Sequence, residues 1–273
     1  MIELNKNYFS SISTQVNELS YYQDELNDYS LIPFENVSDT AAYSRVKSAL
    51  QTDGFSILQI NDISIDNLEI VEKICSSLFG APLCDKNPCR QRYAKVQRED
   101  NAKYYVNSHF AQPMHTDEGY TTSFPRFVAL YCAKSAKLGG DSIIVRLDSL
   151  YLQLIQLYGE SVNLLFKKDA VTVETSLGVE KKPILFWLDD GSVGISYSAI
   201  LHKMWCSEEV FKLFDYITKY AHSRDNQLRF KLQPYQILLF DNSKILHGRT
   251  AFTRDDSRLL YRYWFKDTKL CML

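Results

Sequence analysis

Apolar positions follow one rhythm early in the chain and another later. The stretch "SDTAAYSRVKSALQTDGF" from Ser38 reads as a capped helix that stops at a turn through Asp53 and Gly54. "SILQI" then alternates as a strand does, and "IDNLEIVEKICSSLFG" reads as an amphipathic helix closed by Gly80. Beyond these the runs shorten and become β-rich: "FVALYCA", "DSIIVR", "AVTVET", "PILFWL", "VGISYS", "LRFKL", "QILLFDN" and "RLLYRYWF", separated by Gly, Pro, Asp and Asn. Helical spacing returns twice, at about 149–158 and 207–222. Short strands after a helical first third predict an α+β, mainly β fold, a β-sandwich or double-sheet jelly roll buttressed by helices. The first 37 residues are polar and aromatic and read as an N-terminal arm. Residues 38–273 read as a single domain.

Composition narrows the function classes. The chain has 273 residues, 45% hydrophobic and 23% charged, enough for a sizeable core and typical of a globular protein. A formal net charge of −2 gives no electrostatic footprint for nucleic acid or an anionic membrane. The six cysteines (75, 84, 89, 132, 206 and 271) include no C-x-x-C pair, so free thiols are expected rather than zinc ligation or disulfides. Neither a signal sequence nor a membrane span is visible, and a cytoplasmic protein is the expectation.

Candidate chemistry gathers around "MHTDEGY" at residues 114–120. On an extended segment His115 and Asp117 point to the same side and can address one ion. Taken alone, a His-x-Asp triplet is a weak signal. Among the other histidines, His222 reads as a helix-end surface imidazole, His202 as a loop or partly buried residue, and His109 as a neighbour of the motif. His247 differs, because it closes the apolar strand in "QILLFDNSKILHGRTAF" and so stands at the mouth of a buried strand. Two histidines and a carboxylate form the ligand set of non-haem iron(II), and also suit zinc in a hydrolase. Eleven residues after His247 comes Arg258, and four later Arg262, in "SRLLYRYWF". As a strand, this run puts Arg262, Leu260 and Trp264 on the face of Arg258, with Leu259, Tyr261, Tyr263 and Phe265 opposite. Inward-facing guanidinium groups require anions, and a dicarboxylate supplies one through a bidentate fork.

Together, His115-x-Asp117, the distant His247, Arg258 and "GGDS" at 139–142 resemble the 2-oxoglutarate-dependent dioxygenases of the taurine dioxygenase and γ-butyrobetaine hydroxylase (clavaminate synthase-like) group. "DNSKILHGRTAF" is similar to the histidine segment of the butyrobetaine hydroxylase branch, and the resemblance spans roughly residues 105–265. It implies a double-stranded β-helix (jelly-roll) core, with Fe(II) held by His115, Asp117 and His247. It also implies 2-oxoglutarate as co-substrate, its distal carboxylate held by Arg258 and Ser142, and O2 as oxidant. Arg262 falls where the taurine enzyme keeps an arginine that grips the substrate's anion. The chain lacks the cysteine-rich N-terminal zinc domain of the butyrobetaine branch, and no aromatic cage for a trimethylammonium group is identifiable.

The activity implied is hydroxylation of a small molecule, an amino acid or carboxylate-bearing derivative, with desaturation and cyclisation open. Retention of Asp117 argues against halogenation. Candidate substrate contacts are Arg262, Asn107, Gln112 and Tyr120, with Tyr197 and Ser198 on an opposing strand. Two other classes compete: a metal-dependent hydrolase or isomerase with Glu118 as base, which leaves Ser142 and Arg258 unexplained, and a non-catalytic binding protein, which loss of a triad ligand would favour while all three are intact. The expected partner is a small-molecule substrate rather than nucleic acid or membrane, with homo-oligomerisation left open.

Overall fold

The structure, a computed structural model, describes residues 1–4, 8, 24, 31–60, 68–84, 92–102, 104–175, 178–199 and 203–266. His202, Cys89, Cys271 and most of the expected N-terminal arm lie outside these residues. In chain order the strands and helices are β1 (Ile2–Leu4), β2 (Leu31–Phe34), α1 (Thr40–Thr52), β3 (Phe55–Ile60), α2 (Leu68–Phe79), β4 (Ala94–Gln97), β5 (Gln112–His115), β6 (Phe127–Lys134) and β7 (Ser142–Arg146). There follow α3 (Leu147–Tyr158), β8 (Val171–Thr175), β9 (Gly178–Lys182), β10 (Leu185–Trp187), β11 (Val193–Ile195), β12 (Lys203–Cys206), α4 (Glu208–His222), β13 (Leu228–Phe230), β14 (Gln236–Asp241), β15 (Ile245–Arg249) and β16 (Leu259–Phe265).

Local chemistry sets the helix ends. The Asp39 carboxylate caps α1 by accepting the Ala42 N–H at 2.9 Å, and Gly54 (φ +79°) turns the chain into β3. Ser207 caps α4, whose first turn carries Glu208 and Glu209 and whose last carries Lys219 and His222, the charge order that a helix dipole favours.

Two sheets face each other. One has six strands in the order β2-β3-β14-β6-β16-β4, and the other four in the order β13-β7-β15-β5. All pairings are antiparallel except β2 with β3. Between the sheets lie Ile57, Val128, Leu238, Phe240 and Leu260 from the first, and Ile144, Phe230 and Ile245 from the second. The outer face of the six-stranded sheet packs on α1 and α2 through Val46, Leu50, Ile74 and Leu78. The outer face of the four-stranded sheet packs on α3 and α4 through Leu150, Leu154, Leu213 and Ile217. Covered on both faces, β14 has all six residues buried, which is why "QILLFD" reads as a continuous apolar run rather than an alternation. A third sheet, β1-β12-β8-β9, and the hairpin β10-β11 complete the mixed, strand-dominated α/β architecture.

Segments within the first 37 residues are built into these sheets. Strand β1 pairs with β12 and β2 with β3, and Ile32 and Phe34 are fully buried. The described cysteines 75, 84, 132 and 206 are free thiols, as expected. No helix among the described residues is long and apolar enough to cross a membrane.

One buried charge has a measurable consequence. Lys182 ends β9 beneath the surface, its ammonium donating to the Ser196 carbonyl at 2.8 Å, and burial pushes its pKa down to about 7. Unfolded, this amine titrates near its ordinary value of 10.5. Between pH 7 and 10.5 the unfolded chain therefore binds more protons than the folded one, and stability rises with pH across that window. The stability advantage of Lys182→Met over the parent should be largest at pH 7 and below, and shrink by up to about 1.4 kcal/mol per pH unit above it. Urea denaturation of both proteins at pH 7.0, 8.0 and 9.0 checks this; a constant difference would place the charge elsewhere.

Candidate metal centre and adjoining cleft

His115 and His247 meet across the β5–β15 ladder, where they are register partners, and both rings face the space between the two main sheets. Their centroids are 4.2 Å apart, and the His247 ring also packs on Phe240. Two residues beyond His115, Asp117 points the same way. Between them Thr116 faces the other side, where its amide and hydroxyl both donate to the Tyr197 carbonyl and the hydroxyl accepts the Tyr197 N–H. The next turn is tight: Glu118 has φ +56°, and a Cβ on Gly119 would come within 2.3 Å of the Thr116 hydroxyl. Asn242, just after β14, clamps the Asp117 peptide, accepting its N–H at 2.8 Å and donating to its carbonyl at 3.0 Å.

The three side chains offer ligand atoms that all lie within 4.8 Å of one another. Asp117 Oδ1 is 3.5 Å from His115 Nε2 and 3.7 Å from His247 Nε2. His115 Nδ1 lies 2.9 Å from the Pro113 carbonyl, which can only accept, so this nitrogen carries a proton and Nε2 is the one turned towards Asp117. Burial above all pushes the His247 pKa down to about 4, so this imidazole is neutral. Burial alone would raise the pKa of Asp117, but the Arg262 guanidinium outweighs it and holds the carboxyl well below its usual range. Two imidazoles and an ionised carboxylate turned towards one point suit a divalent cation, and the residues fit one.

Asp117 has two further partners. The Trp264 indole N–H donates to Oδ2 at 2.7 Å, and Arg262 Nη1 lies 3.2 Å from Oδ1. The alternation expected for β16 is present: Leu260 and Trp264 face the inter-sheet core, while Leu259, Tyr261, Tyr263 and Phe265 face α1 and α2.

Deeper in, Arg258 is buried and its Nε donates to the Gly140 carbonyl at 3.2 Å. Among the described residues it forms no ion pair with a carboxylate, and burial pushes its pKa down to about 10. The "GGDS" segment creates its berth. Gly139 and Gly140 both have positive φ, and a Cβ on Gly140 would stand 3.0 Å from Arg258 Cδ. Gly140→Ala should therefore shift Arg258 and destabilise the fold by about 1–3 kcal/mol; thermal unfolding checks the second effect. Ser142 opens β7 and is register-paired with Arg249, while Ile144, two residues on, is paired with His247. Ser142 and His247 thus stand on one face of adjacent strands, offset by two residues, or about 7 Å along the strand.

Beside the metal position opens a cleft of about 560 Å³, lined among others by Glu118, Phe124, Arg126, Phe186, Trp187 and Trp264. The expected substrate contacts lie elsewhere. Tyr197 is a core residue, its hydroxyl bonded to Thr218 at 2.8 Å, and Ser198 is buried in a bridge to His115. Asn107 donates to Glu99 at 2.6 Å, and the Gln112 amide lies 3.0 Å from His115 Nε2. Tyr120 donates to Glu118, a residue of the cleft wall, at 2.6 Å. Arg262, expected to meet a substrate anion, places its Nη1 3.2 Å from the buried Asp117 carboxylate. His222 is a support for β5 rather than a surface imidazole, its Nε2 accepting the Met114 N–H at 3.2 Å. Arg249 was not anticipated either: its guanidinium donates to the carbonyls of Tyr105, Ser108 and Phe110 and anchors the segment that leads into β5.

Comparison with known proteins agrees with this geometry. The sequence model of the taurine catabolism dioxygenase TauD, TfdA family matches residues 23–264. An asparagine oxygenase solved with Fe(II), 2S,3S-3-hydroxyasparagine and succinate superposes with a TM-score of 0.65 at 15% identity, covering 96% of this chain and 92% of the other. The non-heme iron oxygenase OrfP, in complex with Fe and alpha-ketoglutaric acid, gives 0.65 at 13% identity over 97% and 93%. A taurine dioxygenase from Burkholderia xenovorans gives 0.62 at 16% over 92% and 89%. At such identities these likenesses speak for the fold.

Proposed function

We propose, for a chain that belongs to the taurine catabolism dioxygenase TauD, TfdA family, an Fe(II)- and 2-oxoglutarate-dependent oxygenase that hydroxylates a small amino acid or a carboxylate-bearing derivative. The observation that carries this reading is the convergence of His115, Asp117 and His247 on one point, their ligand atoms all within 4.8 Å of one another. These three would hold the iron. When bound, iron supplies the redox chemistry that couples decarboxylation of 2-oxoglutarate to oxidation of a carbon–hydrogen bond.

The chain's own residues do the positioning. Arg258 would fork the distal carboxylate of 2-oxoglutarate, and Ser142 would add a hydroxyl donor. The offset of about 7 Å between Ser142 and His247 suits a five-carbon diacid reaching from the metal to that pair. The apolar walls around both groups exclude water, which strengthens a charge-assisted fork. On this reading the two facing sheets are the double-stranded β-helix core of one domain, with residues from the N-terminal 37 joined to it.

Substrate would occupy the cleft beside Trp264. It offers both signs of charge, Glu118 and Asp189 against Arg126 and Lys266, with Phe124, Phe186 and Trp187 between. A zwitterionic amino acid meets that mixture better than a simple carboxylate does. The relatives solved with 3-hydroxyasparagine and with (3S)-hydroxy-L-Arg support an amino acid.

Succinate release from 2-oxoglutarate, screened over the free amino acids, their N-acetyl forms and short carboxylates, tests the proposal. Stimulation by an amino acid and loss of it on N-acetylation are expected. Stimulation by the carboxylates alone would overturn the amino-acid assignment.

A further inference from the structure

The Asp117 carboxylate is shared between two kinds of partner. Oδ1 faces the imidazoles of His115 and His247 at 3.5 and 3.7 Å, while Oδ2 is turned away to accept the Trp264 indole N–H at 2.7 Å. We propose that Trp264 is a positioning residue for the metal centre, holding Oδ2 so that Asp117 presents Oδ1 alone as its ligand atom. The proposal rests on reading His115, Asp117 and His247 as metal ligands.

Three features distinguish this contact from incidental packing. The indole plane is itself fixed, because the Arg262 guanidinium lies 4.2 Å from the ring centroid. The indole N–H is a neutral donor, so it can orient the carboxylate without opposing an incoming dication. Arg262, also at Oδ1, adds positive charge beside the metal position; it keeps the carboxyl ionised but cannot favour metal entry. The aiming of the carboxylate therefore falls to Trp264. Backbone placement is already secured by the two Asn242 hydrogen bonds to the Asp117 peptide, so the remaining freedom is rotation of the carboxylate, which the indole bond removes. Trp264 also walls the cleft, placing one ring between the substrate space and the metal carboxylate.

Partners of metal ligands at this distance typically change metal affinity by roughly 10–100-fold when removed. Co(II) is the probe, since its visible bands report coordination number without turnover. Trp264→Phe keeps the ring and loses the donor. It should bind Co(II) at least roughly 10-fold more weakly than the parent, with d–d bands altered as Oδ2 becomes free to coordinate. Equal affinity and superimposable Co(II) spectra would overturn the proposal. Failure of the parent itself to bind Co(II) would overturn the underlying metal reading instead.

Should Trp264→Phe not fold, the parent protein still decides the matter. It has three tryptophans, so Trp187→Phe and Trp205→Phe assign the indole N–H signals in a ¹H–¹⁵N spectrum. The Trp264 signal should be the one protected from solvent exchange and the one that moves most on adding Zn(II). A Trp264 signal that exchanges freely and ignores Zn(II) would overturn the proposal.

Discussion

Asp117→Ala is expected to abolish succinate formation and to weaken Fe(II) or Co(II) binding beyond measurement at micromolar protein. The carboxylate is the only anionic member of the triad, and without it two imidazoles face a dication beside the Arg262 guanidinium. The substitution also leaves the Arg262 charge and the Trp264 N–H without their buried acceptor. Breaking a buried pair this way costs about 3–5 kcal/mol at full burial, and less here because Arg262 keeps some solvent contact. His115→Ala and His247→Ala should likewise abolish turnover. His109→Ala is the control: its ring stacks on Phe110 at 4.2 Å, it lines a separate surface pocket, and its loss should leave metal binding intact. Equilibrium dialysis with Co(II), run beside the succinate assay, checks both effects. An Asp117→Ala protein that turns over without added chloride would remove the triad from the account.

The second large effect concerns Arg258. Replacing it with leucine should raise the apparent KM for 2-oxoglutarate by two orders of magnitude or more, because a buried carboxylate that loses its guanidinium partner forfeits about 3–5 kcal/mol. Ser142→Ala removes one hydrogen bond to a charged group and should cost about 1.5–3 kcal/mol, a smaller rise in the same constant. Neither variant should change Co(II) affinity. Arg258 forms no ion pair with a carboxylate among the described residues, although the buried Asp141 attracts its charge and the Gly140 carbonyl accepts from its Nε; Arg258→Leu gives up both contacts but relieves a buried charge, so it should still fold. Wild-type 2-oxoglutarate kinetics in both variants would move the distal carboxylate elsewhere.

How much of this was legible in the sequence depended on which face of an element met water. Central strands such as β6, β14 and β16 were visible because burial on one or both faces writes an apolar run or an alternation. Strands β4 and β9 were not, because "AKVQ" and "GVEKK" lie at sheet edges with one side exposed and polar. Strand β5 is also an edge, but its "QPMH" is mostly buried and too short to write a period. Strands β1 and β2 sit in a region whose overall polarity suggested an arm, yet Leu4, Ile32 and Phe34 are buried.

The metal centre was readable for a different reason. His115 and Asp117 are two apart on one extended segment, which aims both inward; the apolar run expected to end at His247 is instead two strands, β14 and β15, joined by a turn, with His247 at the centre of the second. Asn242 and Trp264 were missed because their roles depend on contacts across more than a hundred residues, which no local spacing records. A signal existed at Asn242, where "DNS" puts three polar residues directly after "QILLF" in a buried position. For Arg262 the strand face was legible and the Asp117 contact was not. Sequence placed its guanidinium inward but could not say that Asp117 would be waiting there.

The central claim is that His115, Asp117 and His247 hold iron where 2-oxoglutarate, seated by Arg258, can reach it. The most direct test is anaerobic: purified protein is titrated with Fe(II), then with 2-oxoglutarate, and the visible spectrum is recorded. The account predicts a weak charge-transfer band that saturates at one 2-oxoglutarate per chain, is absent with Zn(II), and is lost in Asp117→Ala. A protein that binds one Fe(II) per chain yet develops no band at saturating 2-oxoglutarate would contradict it.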